Sequence, residues 1–94
     1  MIQIVTQNPI DQMLLNPKDY INEDCDEVIL KIIHNDASNP VFLLLGYDRA
    51  ADCYYFTLED NDTIEDFYCK EEHLYRVFNE IMEGKGEYEK WVKD

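Results

Sequence analysis

The order of hydrophobic and polar positions predicts strands in the middle of the chain and helices towards its ends. Residues 27–34 are rich in β-branched side chains, residues 41–47 are nearly all apolar, and residues 53–59 alternate. Short segments of this kind, separated by polar turns, are typical of strands. Because both connections are short, neighbouring strands are expected to be antiparallel. The centre of the chain is therefore predicted to be a three-stranded antiparallel meander.

Alternation within the first of these strands predicts which side chains share a face of the sheet. One face is expected to carry Val28, Leu30 and Ile32. The opposite face is then expected to carry Ile29, Lys31 and Ile33.

The N-terminal part predicts a short strand and a short helix. Residues 1–6 alternate weakly, and Asn8 followed by Pro9 resembles a helix cap and a first helical residue. Pro17 is expected to end the helix, since the residue before a proline disfavours helical angles. The apolar face of this helix would consist of Ile10, Met13 and Leu14.

Residues 63–82 allow two interpretations. Apolar residues at helical spacing, and a sequence from Thr63 to Asp66 that resembles a capping box, favour a helix that starts at Thr63. In the alternative, residues 63–69 form a fourth strand and the helix starts at Lys70. The helix from Thr63 is slightly preferred, because the nearby acids suit a helix surface. Gly84 and the following residues predict the end of the helix, and residues 87–94 predict a short helical tail.

Together these elements predict one α+β domain over residues 1–94. We expect a three- to four-stranded antiparallel β-meander packed against a C-terminal helix, with a short N-terminal helix. The length suits a single small domain, and 46% hydrophobic residues argue against disorder. The sequence shows no membrane-spanning run, no signal peptide and no disulfide framework. We therefore expect a cytoplasmic protein that does not bind membranes.

The charge balance limits the classes of partner. The chain has 21 acidic and eight basic side chains, which gives a formal net charge of −13. Direct binding to nucleic acid is not expected, because neutralising phosphates requires Lys and Arg. The acidity favours a basic protein as partner, or it serves only as a solvated surface that keeps the protein soluble.

Aromatic residues are concentrated in the second half of the chain. Nine of the twelve follow residue 47, among the densest acids, and so small a domain is not expected to bury all of them. Tyr and Trp are favoured anchors of protein interfaces, while charge mainly raises the rate of association. We predict a core role for Phe56, Phe67, Tyr75 and Phe78, and leave core and interface roles open for Tyr54, Tyr68 and Trp91.

Catalytic and metal-binding patterns are weak. Cys69 and His73 would share a helix face, but no second pair of ligands is spaced to complete a metal site, and no third group completes a nucleophile. Asp60 begins a segment like a calcium loop, which lacks the required Gly and closing Glu. We expect no enzyme, no cofactor and no metal.

In size, charge and mixed α+β layout the chain resembles small acidic phage-encoded inhibitors, such as uracil-DNA glycosylase inhibitor and several anti-CRISPR proteins. The resemblance transfers no site residue, but it implies a bacterial or phage-infected host cell. It implies a non-enzymatic inhibitor that occupies the nucleic-acid-binding groove of a basic enzyme or regulator by imitating nucleic acid. From the charge pattern, the acidic contacts would be Asp60, Asp62, Glu65, Asp66, Glu71 and Glu72, with Tyr68 and Trp91 as apolar anchors. The alternatives are an immunity or antitoxin-like protein, a subunit of a complex, or a homo-oligomer whose aromatic residues pair with themselves.

Overall fold

The computed structural model describes residues 2–4, 10–22, 26–34 and 39–92. Within these residues, five strands form one sheet, in which they lie side by side in chain order. The first strand pairs in parallel with the second, and all later pairs are antiparallel. The strands are β1 (Ile2–Ile4), β2 (Glu27–His34), β3 (Val41–Asp48), β4 (Cys53–Glu59) and β5 (Ile64–Cys69). The predicted α+β class and the antiparallel meander are confirmed.

In the described part of the chain, three short α-helices accompany the sheet, and 3₁₀ turns follow α1 and lead into α2 and α3. The α-helices are α1 (Ile10–Leu15), α2 (Leu74–Glu83) and α3 (Glu89–Val92). The 3₁₀ turns are Pro17–Asp19, Glu71–His73 and Gly86–Tyr88. Among the described residues, no helix is long and apolar enough to cross a membrane.

The helix boundaries follow local chemistry. The predicted end of α1 before Pro17 is confirmed, whereas the predicted cap at Asn8 and Pro9 lies outside the described residues. Gly84 adopts a left-handed conformation with φ of 66°, which glycine tolerates because it has no Cβ. The N–H of Lys85 then donates to the carbonyl of Glu80 at 3.1 Å, which closes the end of α2 as predicted.

The preferred interpretation of residues 63–69 as the start of a helix is wrong. Ile64–Cys69 is a strand that pairs along its whole length with β4, so the alternative interpretation is the right one. The cause is the turn before it. The carboxylate of Asp60 accepts hydrogen bonds from the backbone N–H groups of Asp62 and Thr63, both at 2.8 Å. This turn directs the chain back along β4, and the pairing that results outweighs the helical spacing of the apolar residues.

The predicted faces of β2 hold only for its first half. Val28 and Leu30 are buried in the core as expected, but Ile32 is 44% exposed and Ile33 packs against the core instead. The register with β3 shifts on either side of Lys31, between Ile29 and Lys31 and again between Ile32 and His34. Because each irregularity inserts an unpaired residue, the alternation changes face along the strand.

The core lies between the helices and one face of the sheet. Phe56 and Tyr54 of β4 both lie in this core, and Phe78 of α2 packs against Phe56 with ring centroids 6.5 Å apart. The core role predicted for Tyr75 is wrong, because that side chain is 39% exposed and its hydroxyl donates to Asp11 at 2.8 Å. Trp91 is a core residue with 4% of its surface exposed. The predicted helical tail thus serves to close the core.

Candidate protein-binding surface

The sheet has an inner face, which the helices cover, and an outer face, which they leave uncovered. The strand register places twelve residues on this outer face in three rows across the sheet. None of them belongs to the core cluster that includes the helix side chains. The rows are Glu27, Gly46, Tyr55 and Tyr68; Ile29, Leu44, Thr57 and Asp66; and Ile32, Phe42, Glu59 and Ile64.

Tyr55 connects three strands at one end of the outer face. Its ring lies over Gly46 of β3, where a Cβ atom would come within 2.8 Å of Cε1 of the ring and closer still to Cζ. Its hydroxyl donates a hydrogen bond to Oε2 of Glu27 on β2 at 2.7 Å. Burial, and then this bond to a carboxylate, raises the pKa of Tyr55 above its usual value. The tyrosine is therefore held in one orientation as a neutral donor.

Tyr68 lies beside Tyr55 and presents the more exposed ring. The two ring centroids are 5.5 Å apart, and the hydroxyl of Tyr68 donates to Oδ2 of Asp48 at 3.1 Å. This hydrogen bond is the main reason that the pKa of Tyr68 is raised. With 54% of its surface exposed, Tyr68 offers an oriented aromatic ring to a partner.

In the middle row of the outer face Leu44 and Thr57 are almost fully buried, so the exposed groups are a carboxylate there and aliphatic side chains at the far end. Thr57 donates its hydroxyl hydrogen to Oδ1 of Asp66 at 2.7 Å, which positions the exposed carboxylate on the edge strand. In the third row, Ile32 and Ile64 are 44% and 65% exposed. The face thus combines ordered carboxylates, two tyrosines and exposed aliphatic groups.

The outer face is negative as a whole. Of the twelve residues in its rows, three are acidic, namely Glu27, Glu59 and Asp66, and none is Lys or Arg. Asp48 adds a fourth carboxylate where β3 ends. Arg49, which follows Asp48 in the chain, borders the same surface and offsets part of this charge. The remaining excess of carboxylates still attracts a positively charged surface.

Of the predicted contact residues, Asp66 and Tyr68 lie on the outer face. Glu65 points to the opposite side of the same strand and forms an ion pair with Lys90 of α3. Asp60 is engaged within its turn, where the N–H groups of Asp62 and Thr63 lower the pKa of its carboxyl group. Its role in the structure is to shape the turn.

The remaining predicted residues are not brought together. Asp62 precedes β5 whereas Glu71 and Glu72 follow it, and a six-residue strand separates them by roughly 20 Å. Trp91 is buried, so its predicted role as a surface anchor is not supported. The eight predicted residues therefore do not form one continuous surface.

Several outer-face residues were missed, chiefly Glu27, Tyr55, Glu59 and Ile64. The alternation of residues 53–59 already separated Tyr55 and Thr57 from Phe56. Once residues 64–69 are treated as a strand, the same alternation places Ile64, Asp66 and Tyr68 on one side. The signal was present, but the helical interpretation of this segment concealed it.

Because residues 64–69 form a strand, Cys69 and His73 do not lie on one helix. Cys69 ends β5 and His73 ends the following 3₁₀ turn, so the predicted shared helix face does not exist. Burial raises the pKa of Cys69 to about 11, which disfavours the reactive thiolate at neutral pH. Among the described residues, no group of three or more His, Cys, Asp or Glu side chains could hold a metal ion.

Comparison of the chain with protein-family models, with curated proteins and with solved structures found no match. The functional argument therefore depends on the geometry and charge of the outer face.

Proposed function

We propose that this chain is an acidic binding protein that docks a basic partner on its outer face, and that the partner is a nucleic-acid-binding protein whose groove it covers. The observation that carries the proposal is the composition of the outer face. It is uncovered by the described helices, it has exposed tyrosine and isoleucine side chains, and its rows contain carboxylates without Lys or Arg. A groove that binds nucleic acid presents the complementary positive charge.

The ordered tyrosines support binding rather than simple solvation. The Tyr55 and Tyr68 hydroxyls are held by Glu27 and Asp48, so their rings lose little conformational freedom when a partner binds. Tyr is among the residues that contribute most to binding energy at interfaces. The carboxylates would speed association, and the tyrosines would slow dissociation.

Charge argues against a second copy of this chain as the occupant of the outer face. Face-to-face pairing would bring three carboxylates from each copy into one interface, with no cation in the rows to offset them. Two carboxylates 7 Å apart repel by roughly 0.6 kcal/mol in water, and by more where water is excluded. A basic partner removes this repulsion instead of doubling it.

The experiment compares two double variants with equal changes in charge and aromatic content. Asp66→Asn with Tyr68→Ala alters the outer face. Glu72→Gln with Tyr75→Ala removes one carboxylate and one exposed tyrosine ring elsewhere. Tagged wild-type and variant proteins are used to capture partners from a bacterial lysate in steps of rising salt. A captured basic protein is then purified, and its binding to a labelled DNA or RNA duplex is measured with and without this chain.

We expect the wild-type protein and the Glu72/Tyr75 variant to retain the partner and to displace the nucleic acid. The outer-face variant should bind at least about tenfold more weakly. Equal weakening by both variants would show that general acidity, not this face, causes binding. A basic partner that nucleic acid does not displace would favour the immunity-like or subunit alternative, and a homodimer at micromolar concentration in light scattering would favour self-association.

A further inference from the structure

In the described part of the sheet, one long strand is paired on one side only. The strands lie in chain order, so β1 and β5 form the two edges. β1 has three residues, whereas β5 has six and pairs with β4 without a register shift. Among the described residues, no strand lies beyond β5. A regular edge of this length is a template on which another chain can add a strand.

The turn before β5 shows which backbone groups point outwards from this edge. The N–H of Asp60 donates to the carbonyl of Thr63 at 3.0 Å, so these two residues form a hydrogen-bonded pair. In an antiparallel ladder such pairs alternate with pairs whose backbone groups point away from each other. Along the register with β4, this alternation directs the N–H and C=O groups of Ile64, Asp66 and Tyr68 away from β4. The edge therefore presents three donors and three acceptors to an added strand.

The usual protections of a sheet edge are weak at β5. Natural edges are protected by Lys or Pro, by a bulge, or by a charge that points inwards. Neither Lys nor Pro occurs in residues 64–69, and the pairing with β4 has no bulge. The inward charge is that of Glu65, and its ion pair with Lys90 offsets it. None of the six residues of β5 is buried, whereas four of the seven in β4 are. The edge is thus accessible to a partner.

The charge beside this edge selects the kind of strand that fits. The segment from Asp60 to Glu72 contains six acidic residues and one basic residue, Lys70. Two copies paired edge to edge would place two such segments side by side, and like charges opposite each other destabilise strand pairing. A strand that carries Lys or Arg would instead be attracted, chiefly by the exposed Asp66. Charge complementarity therefore favours an extended segment of a basic protein over a second copy.

From this geometry we infer that β5 binds an extended segment of a basic partner as a sixth, antiparallel strand. The segment would place Lys or Arg opposite Asp66, with apolar side chains two residues to either side, against Ile64 and Tyr68. Its alternate side chains would be small, because Tyr88 already packs on Phe67 on the other face of β5, with ring centroids 4.8 Å apart. The inference rests on the proposed function for the basic character of the partner, and it adds how that partner is held.

The test uses as its probe a nine-residue peptide with blocked termini, Arg-Thr-Val-Thr-Lys-Thr-Val-Thr-Arg. The peptide is titrated into the isotopically labelled full chain, and amide hydrogen exchange is followed by NMR. We expect saturable binding that slows the exchange of the amides of Ile64, Asp66 and Tyr68 at least about tenfold. The amides of Glu65 and Phe67 already face β4, so their exchange should change much less.

Two N-methylated forms of the peptide provide controls with the same charge and the same added volume. Methyl groups on the two valine amides block donors that would face β5, so the Kd should rise at least about tenfold. Methyl groups on the two threonine amides beside the lysine would point to the far side of the added strand. They should change the Kd less than about threefold.

Two charge variants of the chain complete the test. Asp66→Asn should raise the Kd of the unmodified peptide about two- to fivefold, whereas Glu72→Gln, at an exposed residue after β5, should change it less than about twofold. The inference is overturned if the peptide does not bind, if the two N-methylated forms bind equally well, or if the amides of Ile64, Asp66 and Tyr68 stay unprotected. A dimer in light scattering that the peptide does not dissociate would also overturn it, since a second copy would then occupy the edge.

The outcomes separate this inference from the proposed function. Equal binding of the two N-methylated peptides, together with partner capture that the outer-face variant weakens, would overturn the strand pairing and leave the proposed function standing. Strand pairing with the peptide, together with capture that the outer-face variant does not weaken, would support the inference and contradict the proposed function.

Discussion

The two faces of the sheet are built from the same strands but are held together differently. On the inner face, Phe56 and Leu58 of β4 are fully buried beneath the helices. On the outer face, neighbouring side chains are joined by single hydrogen bonds between a hydroxyl group and a carboxylate, as in the pair Thr57–Asp66. Burial stabilises the inner face. On the outer face Leu44 and Thr57 are also buried, but the side chains of Tyr68 and Ile64 on its edge strand stay exposed. The comparison predicts that stability and binding can be altered separately.

The largest expected effect is the cost of truncating an inner-face side chain. Phe56→Ala should lower the free energy of unfolding by about 3–5 kcal/mol, because it removes buried apolar surface and leaves a cavity. On the outer face, Tyr68→Ala should lower it by less than about 1 kcal/mol, since its ring is 54% exposed and its hydroxyl makes one exposed hydrogen bond. Urea unfolding followed by circular dichroism measures both values. Similar losses for the two variants would contradict the division between the faces.

The next effect tests whether Tyr55 really lies against Gly46. Gly46→Ala places a methyl group inside the ring position, so Tyr55 must move and lose its bond to Glu27. We expect a loss of about 1–3 kcal/mol, as for other overpacked sites. The measurement is a double-mutant cycle with Tyr55→Ala by urea unfolding.

If the ring causes the clash, Gly46→Ala should cost much less in the Tyr55→Ala background than alone. Equal costs in both backgrounds would mean that the added methyl group disturbs the backbone of β3 and not the tyrosine. The cycle therefore tests the contact independently of the absolute stability.

A smaller effect concerns alkaline pH. Burial and the bond to Glu27 raise the pKa of Tyr55 in the folded state, while the unfolded residue ionises near pH 10. Above that pH the unfolded state binds fewer protons than the folded state, so the free energy of unfolding falls as the pH rises. Tyr55→Phe should cost about 0.5–1.5 kcal/mol at pH 7 and show a shallower decline between pH 9 and 11.

Urea unfolding at several pH values measures this decline, with Tyr75→Phe as the control. Burial also raises the pKa of Cys69 to about 11, so part of the decline persists in every variant. The hydrogen bond to Asp11 also raises the pKa of the exposed Tyr75, so its variant should lose part of the slope, but less than Tyr55→Phe does. A Tyr55→Phe slope equal to that of the wild type would contradict the buried, hydrogen-bonded tyrosine.

The local pattern of apolar and polar residues predicted the central meander. The same pattern did not identify the edge strand β5. The bounds of β2 and β4 match the segments predicted as strands. The two-residue alternation of apolar and polar side chains in a strand differs clearly from the helical period. In residues 64–69, apolar side chains at Ile64, Phe67 and Tyr68 fit helical spacing. Hydrogen bonds to the carboxylate of Asp60 and the long-range pairing with β4 decide in favour of a strand. Tertiary pairing of this kind is not visible in a local window.

The acidity of the candidate surface could be predicted, but not which acids share it. Glu27 and Asp66 come from opposite halves of the chain and reach one face only through the register of four strands. Conversely, Glu65 and Asp66 are adjacent in sequence and face opposite sides of the sheet. Grouping acids by closeness along the chain therefore combined residues that the strand separates.

The smallest effect on stability is expected at the most exposed aliphatic residue of the outer face. Ile64 is 65% exposed at the start of the edge strand, so Ile64→Thr removes little buried surface and keeps a β-branched side chain. The free energy of unfolding should change by less than about 0.5 kcal/mol. If the outer face binds a partner, the same variant should still lower its affinity several-fold, since an exposed apolar side chain gains contacts only in the complex. Urea unfolding measures the change in stability, and titration with the captured partner measures the change in affinity. A large loss of stability would show that Ile64 serves the fold, and the outer face would then be a second packing surface and not a free one.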